Sequence, residues 1–116
     1  MDLRDEIVRT ADSMNLAIVD GGTYAVTQGP RLETAAEIDR IDRDGGHYVG
    51  MTLMPEACLA KELNLSYAAI CQVVNPAAGR GASANSVEIA SNDEKLNKVT
   101  DQCVDLAIKT FLELNR

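Results

Sequence analysis

The stretch Tyr67-Ala68-Ala69-Ile70-Cys71-Gln72-Val73-Val74 is a near-continuous apolar run that stops at Asn75-Pro76. Its length suits a strand, and its lack of polar alternation suits one covered on both faces, as in a mainly parallel sheet. Such a sheet needs helices as outer layers. The run therefore predicts an α/β layer fold and leaves the remaining segments to supply neighbouring strands and covering helices.

They do so in alternation. Leu3, Ile7, Val8, Ala11 and Met14 recur at helical spacing, so the first fifteen residues read as an amphipathic helix. Leu16 to Val19 and Thr23 to Val26 read as two short strands separated by the turn signal Asp20-Gly21-Gly22. After Gln28-Gly29-Pro30, Thr34 and Glu37 have the form of a capping box opening a helix that turns Ile38 and Ile41 inward and ends at Gly45-Gly46. Tyr48-Val49-Gly50-Met51 is a further strand, and Pro55 suits the first position of a helix running through Leu59 to Leu63. Residues 77–90 read as a flexible loop. Ser91 with Glu94 then opens a last helix that places Leu96, Val99, Cys103, Leu106 and Leu114 on one side. No internal repeat interrupts this order, and the 116 residues fit one small domain.

Charge and composition exclude several classes of function. With 18 acidic and 11 basic side chains and no basic stripe, the chain is unsuited to holding a nucleic acid. No apolar run approaches the roughly 20 residues of a membrane span, and the acidic start Met1 to Glu6 is unlike a signal peptide, so a cytoplasmic address is expected. Cys58, Cys71 and Cys103 are odd in number and lack metal-ligand spacing, and His47 is the lone histidine. These residues predict reduced, buried thiols and no zinc site.

In α/β sheets, ligands sit beyond the carboxyl ends of the strands. The residues at those ends are Gln28 to Glu33, Met51-Thr52 and Asn75, which offer a carboxylate, a thioether beside a hydroxyl, and an amide. None is a nucleophile with a paired base. A carboxylate that accepts from a ring N–H and an amide that both donates and accepts suit a polar heterocycle. Each residue also has a plainer reading on its own: Glu33 as a charge near a helix N-terminus, Asn75 as a turn former, Met51 as core filling, and Thr52 as a helix cap.

Taken in register, Gly22-Thr23-Tyr24, Gly29-Pro30-Arg31-Leu32-Glu33-Thr34 with Ala36-Glu37, Val49-Gly50-Met51-Thr52 with Pro55-Glu56 and Leu59-Ala60, and Val74-Asn75 resemble the trimeric purine nucleoside phosphorylase family, methylthioadenosine phosphorylases included. The match runs from about Leu16 to Gly81 and is nearest to the bacterial methylthioinosine branch. It implies that the chain is the C-terminal half of a phosphorylase domain built on a mixed sheet flanked by helices.

By residue-to-residue correspondence, the resemblance assigns Asn75 to the purine N7/O6 edge as the catalytic group and Glu33 to N1–H. Met51 falls to the ribose, Tyr24 to the sugar side, Thr52 to phosphate, and Leu32 to the base face, with Gly50 among the substrate-binding residues. The family usually carries phenylalanine where Leu32 stands, so stacking is weakened. Members specific for 6-aminopurines carry aspartate at the position of Asn75. Asparagine together with Glu33 suits a 6-oxopurine, because a mismatched base leaves buried polar groups unpaired, a difference of about 10⁴ in such sites.

The implied reaction is reversible phosphorolysis of methylthioinosine or inosine, with inorganic phosphate as co-substrate and neither metal nor organic cofactor. Family members carry a preceding segment with a glycine-rich phosphate loop and an Arg-His pair. Here only Thr52, aided by Arg31 or Arg80, stands in for it. The isolated chain is therefore expected to have little activity, with an N-terminal-half polypeptide as partner and a homo-oligomer as the assembly. A catalytically inactive purine-binding or oligomerising remnant is the alternative expectation, and a degraded gene product with no selected role a third. The open sheet edge left by a missing half is expected to drive self-association.

Overall fold

Between Gly21 and Met54 the chain builds a strand, a helix and a second strand parallel to the first. In this computed structural model, which describes residues 2–82 and 93–115, the elements are α1 (Leu3–Ser13), β1 (Tyr24–Val26), α2 (Ala35–Arg43), β2 (Tyr48–Gly50), α3 (Glu56–Glu62) and α4 (Asp93–Leu114). The fold is mixed α/β, with a small parallel sheet. The chain divides into two compact units, one of Met1–Asp20, Pro55–Gln72 and Asn92–Arg116, the other of Gly21–Met54 and Val73–Ser91.

The second unit holds the sheet. β1 and β2 pair in parallel with Tyr24 opposite Tyr48, Ala25 opposite Val49 and Val26 opposite Gly50. Parallel neighbours require a crossover, and α2 supplies it. Thr34 caps α2 through the complete capping box: its hydroxyl accepts from the Glu37 N–H while the Glu37 carboxylate accepts from the Thr34 N–H. Ile38 and Ile41 are buried, as their spacing indicates. A side chain at Gly46 would meet both Ile41 and the Ala25 methyl, which places Ile41 over β1. The helix leaves its axis through Gly45, whose φ of 89° is costly for other residues. His47 ties the strand starts together, its Nδ1 accepting from the Thr23 N–H at 3.0 Å.

The first unit is helical. Asp2 caps α1, accepting from the Arg4 N–H, and Ala11 and Thr10 are buried where α1 packs against α4. On α4 the covered face runs through the half-buried Leu96, Val99 and Cys103 to the buried Leu106 and Thr110, whereas Leu114 is 45% exposed because the helix is ending. α1 and α3 are each followed by an asparagine at positive φ, Asn15 at 52° and Asn64 at 53°. Asparagine tolerates this left-handed exit better than most residues. Among the described residues no helix is long and apolar enough to cross a membrane.

Two expected strands do not form. Leu16 to Val19 and Tyr67 to Val74 run without regular structure, and among the described residues the sheet holds β1 and β2 alone. A strand exists only by pairing, and neither segment meets a partner edge. The apolar run is consequently open to solvent, with Val73 at 67% exposure. Gln72 is its polar anchor, donating to the Leu96 carbonyl at 3.2 Å and accepting from the Thr100 hydroxyl at 3.0 Å on α4. Cys58 on α3 and Cys71 in the unpaired run are exposed rather than buried, Cys103 is half-buried, and among the described residues none of the three forms a disulfide. The expected start of the last helix at Ser91 and most of the expected loop lie outside the described residues.

Candidate active site

Because β1 and β2 are parallel and in register, their carboxyl ends lie side by side and the residues that follow emerge together. Thr27 continues the ladder one residue past β1, its N–H donating to the Gly50 carbonyl at 2.9 Å. Its hydroxyl donates to Glu33 Oε1 at 2.5 Å, a partly buried contact that holds the half-buried carboxylate against the strand ends. Gly50 O lies 3.4 Å from the same hydroxyl, a weaker second acceptor.

The Tyr24 and Thr52 hydroxyls stand 3.4 Å apart. Gly50 is a glycine for a steric reason, because a Cβ there would strike the Tyr24 hydroxyl and come within 2.7 Å of its ring carbon Cζ. Met51 packs against Gly29, where a Cβ would lie 2.6 Å from the thioether sulfur. Contacts thus run from Tyr24 and Thr52 through Gly50 and Thr27 to Glu33, with Met51 seated on the segment that leads to Glu33.

That segment passes through the cis Gly29–Pro30 bond and is anchored at α2. Arg31 forms a two-pronged pair with Glu37, Nη1 to Oε2 at 2.9 Å and Nη2 to Oε1 at 2.6 Å. The Arg31 guanidinium and the Thr34 backbone N–H together hold the Glu37 carboxyl well below its usual range, at about 2. Glu33 sits one residue before the cap, so its backbone is fixed by the helix start while its side chain remains beside Thr27. Leu32, 50% exposed, leaves its side chain open to solvent.

Asn75 is half-buried, and its Nδ2 donates to the Pro76 carbonyl at 3.0 Å, a local bond that uses one of its two amide protons. Among the described residues no hydrogen bond joins it to Glu33 or Met51. Its loop is fastened to α2 instead: Arg80 reaches Asp39 at 2.8 Å and Asp42 at 3.1 Å. The Arg80 N–H closes the turn on the Ala77 carbonyl.

Of the residues singled out from the sequence, Glu33, Gly50, Met51 and Thr52 lie at or beyond the carboxyl ends of the strands, and Tyr24, the first residue of β1, reaches Gly50 and Thr52 through its hydroxyl; Asn75 belongs to the same compact unit and Leu32 lies in the connecting segment. Arg31 and Arg80, considered as aids to a phosphate, are each engaged by carboxylates of α2. Thr27 escaped sequence reasoning, although a hydroxyl residue directly after a strand and six positions before a carboxylate is the pattern that a tight return at Gly29-Pro30 would bring together. Among the described residues no group of three His, Cys, Asp or Glu side chains assembles that could hold a metal ion.

Comparison with known proteins gives this arrangement a context. The family profile described as the phosphorylase superfamily matches residues 1–113. A protein of Pseudomonas syringae pv. tomato named as a probable S-methyl-5′-thioinosine phosphorylase is 56% identical over 81 residues, 70% of this chain and 33% of that protein. A Methanothermobacter thermautotrophicus protein of the same name is 45% identical over 104 residues, 88% of this chain and 37% of that one. A Korarchaeum cryptofilum protein named as a probable 6-oxopurine nucleoside phosphorylase is 49% identical over 78 residues, 67% of this chain and 29% of that one. The chain spans about a third of the length of the curated relatives it matches.

Proposed function

The chain belongs to the phosphorylase superfamily, and on that premise we propose that its β1-α2-β2 unit forms the purine- and ribose-facing part of a nucleoside phosphorylase site for 6-oxopurine nucleosides, 5′-methylthioinosine and inosine among them. The convergence of Glu33, Met51 and Thr52 beyond the carboxyl ends of two parallel strands, with the Tyr24 hydroxyl reaching Thr52, carries this assignment. Relatives whose names specify thioinosine and 6-oxopurine substrates support the choice of base.

In this reading, a phosphate oxygen attacks the anomeric carbon of the sugar as the bond from that carbon to purine N9 breaks. The bonding electron pair moves into the purine ring. Asn75 meets that developing charge by donating its second amide proton to N7 or O6, and Glu33 orients the base by accepting from N1–H. Both groups act through preorganised hydrogen bonds, so no covalent enzyme intermediate is needed, and the departing base takes its proton from solvent. Met51 and Tyr24 border the ribose, Leu32 lies over the base, and Thr52 offers a hydroxyl to phosphate. Since Arg31 and Arg80 are engaged with α2, the cationic part of the phosphate site is assigned to residues outside this stretch, from an N-terminal half or a second subunit of a homo-oligomer.

Phosphate-dependent release of hypoxanthine from methylthioinosine and inosine tests this, using the chain alone and the chain mixed with the preceding segment of a relative. Release with the added segment, abolished by Asn75→Ala, is the expected result. Silence in both mixtures with a folded chain would overturn the enzymatic reading and leave a purine-binding remnant.

A further inference from the structure

Thr27 occupies a position that none of the assigned contacts explains. Its backbone N–H extends the sheet to the Gly50 carbonyl, and its side chain turns toward Glu33 Oε1 at 2.5 Å in a partly buried setting. We infer that Thr27 is a positioning residue for Glu33: by donating to one carboxylate oxygen it fixes the plane of the group and leaves the other oxygen to accept from the N1–H of a 6-oxopurine. This inference rests on the proposed purine role of Glu33.

A carboxylate has two oxygens and about four lone-pair sites, and a side chain of three torsions can present them in many directions. An exposed, unheld glutamate must lose that freedom when a base binds. A hydroxyl donor on Oε1 removes most of it beforehand, and a hydrogen bond to a charged acceptor is stronger than a neutral one. The same residue also grips the Gly50 carbonyl, immediately before Met51. The spacing between the base-facing carboxylate and the ribose-facing thioether is therefore set through one residue, its backbone N–H on the Gly50 carbonyl and its hydroxyl on Glu33. A base whose N1 is an acceptor, such as adenine, meets an oxygen held in place and is repelled.

The test uses Thr27→Val, which keeps the backbone bond to Gly50 and the side-chain shape while deleting the hydroxyl, with Thr27→Ser as the conservative rescue. Calorimetric titration of the chain with hypoxanthine and adenine is expected to show a preference for hypoxanthine. Thr27→Val reduces that preference by about tenfold, the loss of roughly one hydrogen bond, and Thr27→Ser restores most of it. In a Glu33→Gln background, Thr27→Val has no further effect on selectivity. Unchanged selectivity in Thr27→Val would overturn the inference.

A second readout needs no ligand: the melting temperatures of Thr27→Val, Glu33→Gln and the double variant should be non-additive. Strict additivity would show that the two side chains are uncoupled and would overturn the positioning role by itself. If the unaltered chain shows no preference for hypoxanthine, the purine reading of Glu33 falls and the specificity role of Thr27 falls with it. The melting-temperature cycle then still reports whether the pair interacts.

Discussion

The Met51 sulfur occupies the space that a side chain at residue 29 would need: a Cβ on Gly29 would lie 2.6 Å from it. The absence of a methyl group at one turn thus decides where the thioether sits at the end of β2.

Gly29→Ala should accordingly push Met51 aside without breaking the fold. The obstructing atom lies near the end of a flexible side chain, so the expected stability cost is at the low end of overpacking changes, about 1 kcal/mol. Nucleoside affinity, read by calorimetry, should fall more than affinity for the free base. Equal losses for the two ligands would remove Met51 from the sugar side.

Acid should weaken the start of α2 in a defined window. The Glu37 carboxyl is lowered from the usual 4.5 to about 2 by Arg31 and the Thr34 N–H. A group depressed on folding stabilises the protein fully above its unfolded value, and that contribution is lost as pH falls through its folded value. The melting temperature should therefore decline between pH 4.5 and 2, and Glu37→Gln should flatten this part of the profile. Thr34→Ala, which removes the other half of the box, is expected to cost about 1 kcal/mol at neutral pH.

Arg80 fastens the Asn75 loop to α2 through Asp39 and Asp42. In Arg80→Gln, amide exchange at Gly79 and Arg80 should accelerate several-fold while the buried turn around Ile38 and Ile41 is unaffected. Because the pairs are exposed, raising the salt concentration should move the unaltered protein toward the variant. Exchange rates identical in both proteins would show that the loop holds itself.

Thr10 is 3% exposed, and its hydroxyl has no hydrogen-bond partner among the described residues. An unsatisfied buried hydroxyl costs about 1–3 kcal/mol. Thr10→Val retains the shape and removes that cost, so it should raise the melting temperature. A lower value would mean that the hydroxyl is satisfied in solution, most simply by an ordered water.

Val19 at 79%, Leu63 at 69%, Val73 at 67% and Phe111 at 65% exposure give the chain a markedly apolar surface. Together with a strand-length segment that has no ladder, this should make the protein associate at micromolar concentration. Sedimentation that shows a concentration-independent monomer would exclude it.

The helices were legible in the sequence because the signals that make them are local. The spacing of Leu3, Ile7, Val8 and Ala11 sets α1, and Thr34 with Glu37 sets the start of α2. The short strands at Tyr24 and Tyr48 were legible as well, being bounded by Gly21-Gly22 and Gly45-Gly46. Tyr67 to Val74 was misread because a strand is a property of two segments, and an apolar run specifies only one of them. At the site, Glu33, Met51 and Thr52 could be named from their places after the strands, and Tyr24 and Gly50 from the family resemblance. Thr27 could not, since its partner is reached only through the return at Gly29-Pro30. The double engagement of Arg80 depends likewise on a contact 41 residues away, which no local pattern encodes.

The parallel ladder from Tyr24–Tyr48 to Val26–Gly50 is three pairs long, and it alone aligns Thr27 with the Gly50 carbonyl. Slipping it by one residue would shift Met51 by about 3.3 Å and turn its side chain to the opposite face. The segment from Tyr24 to Thr52 should therefore behave as a fixed-length gauge. It will accept many substitutions, but an insertion or deletion of a single residue within β1 or β2 will erase ligand recognition in a protein that still folds.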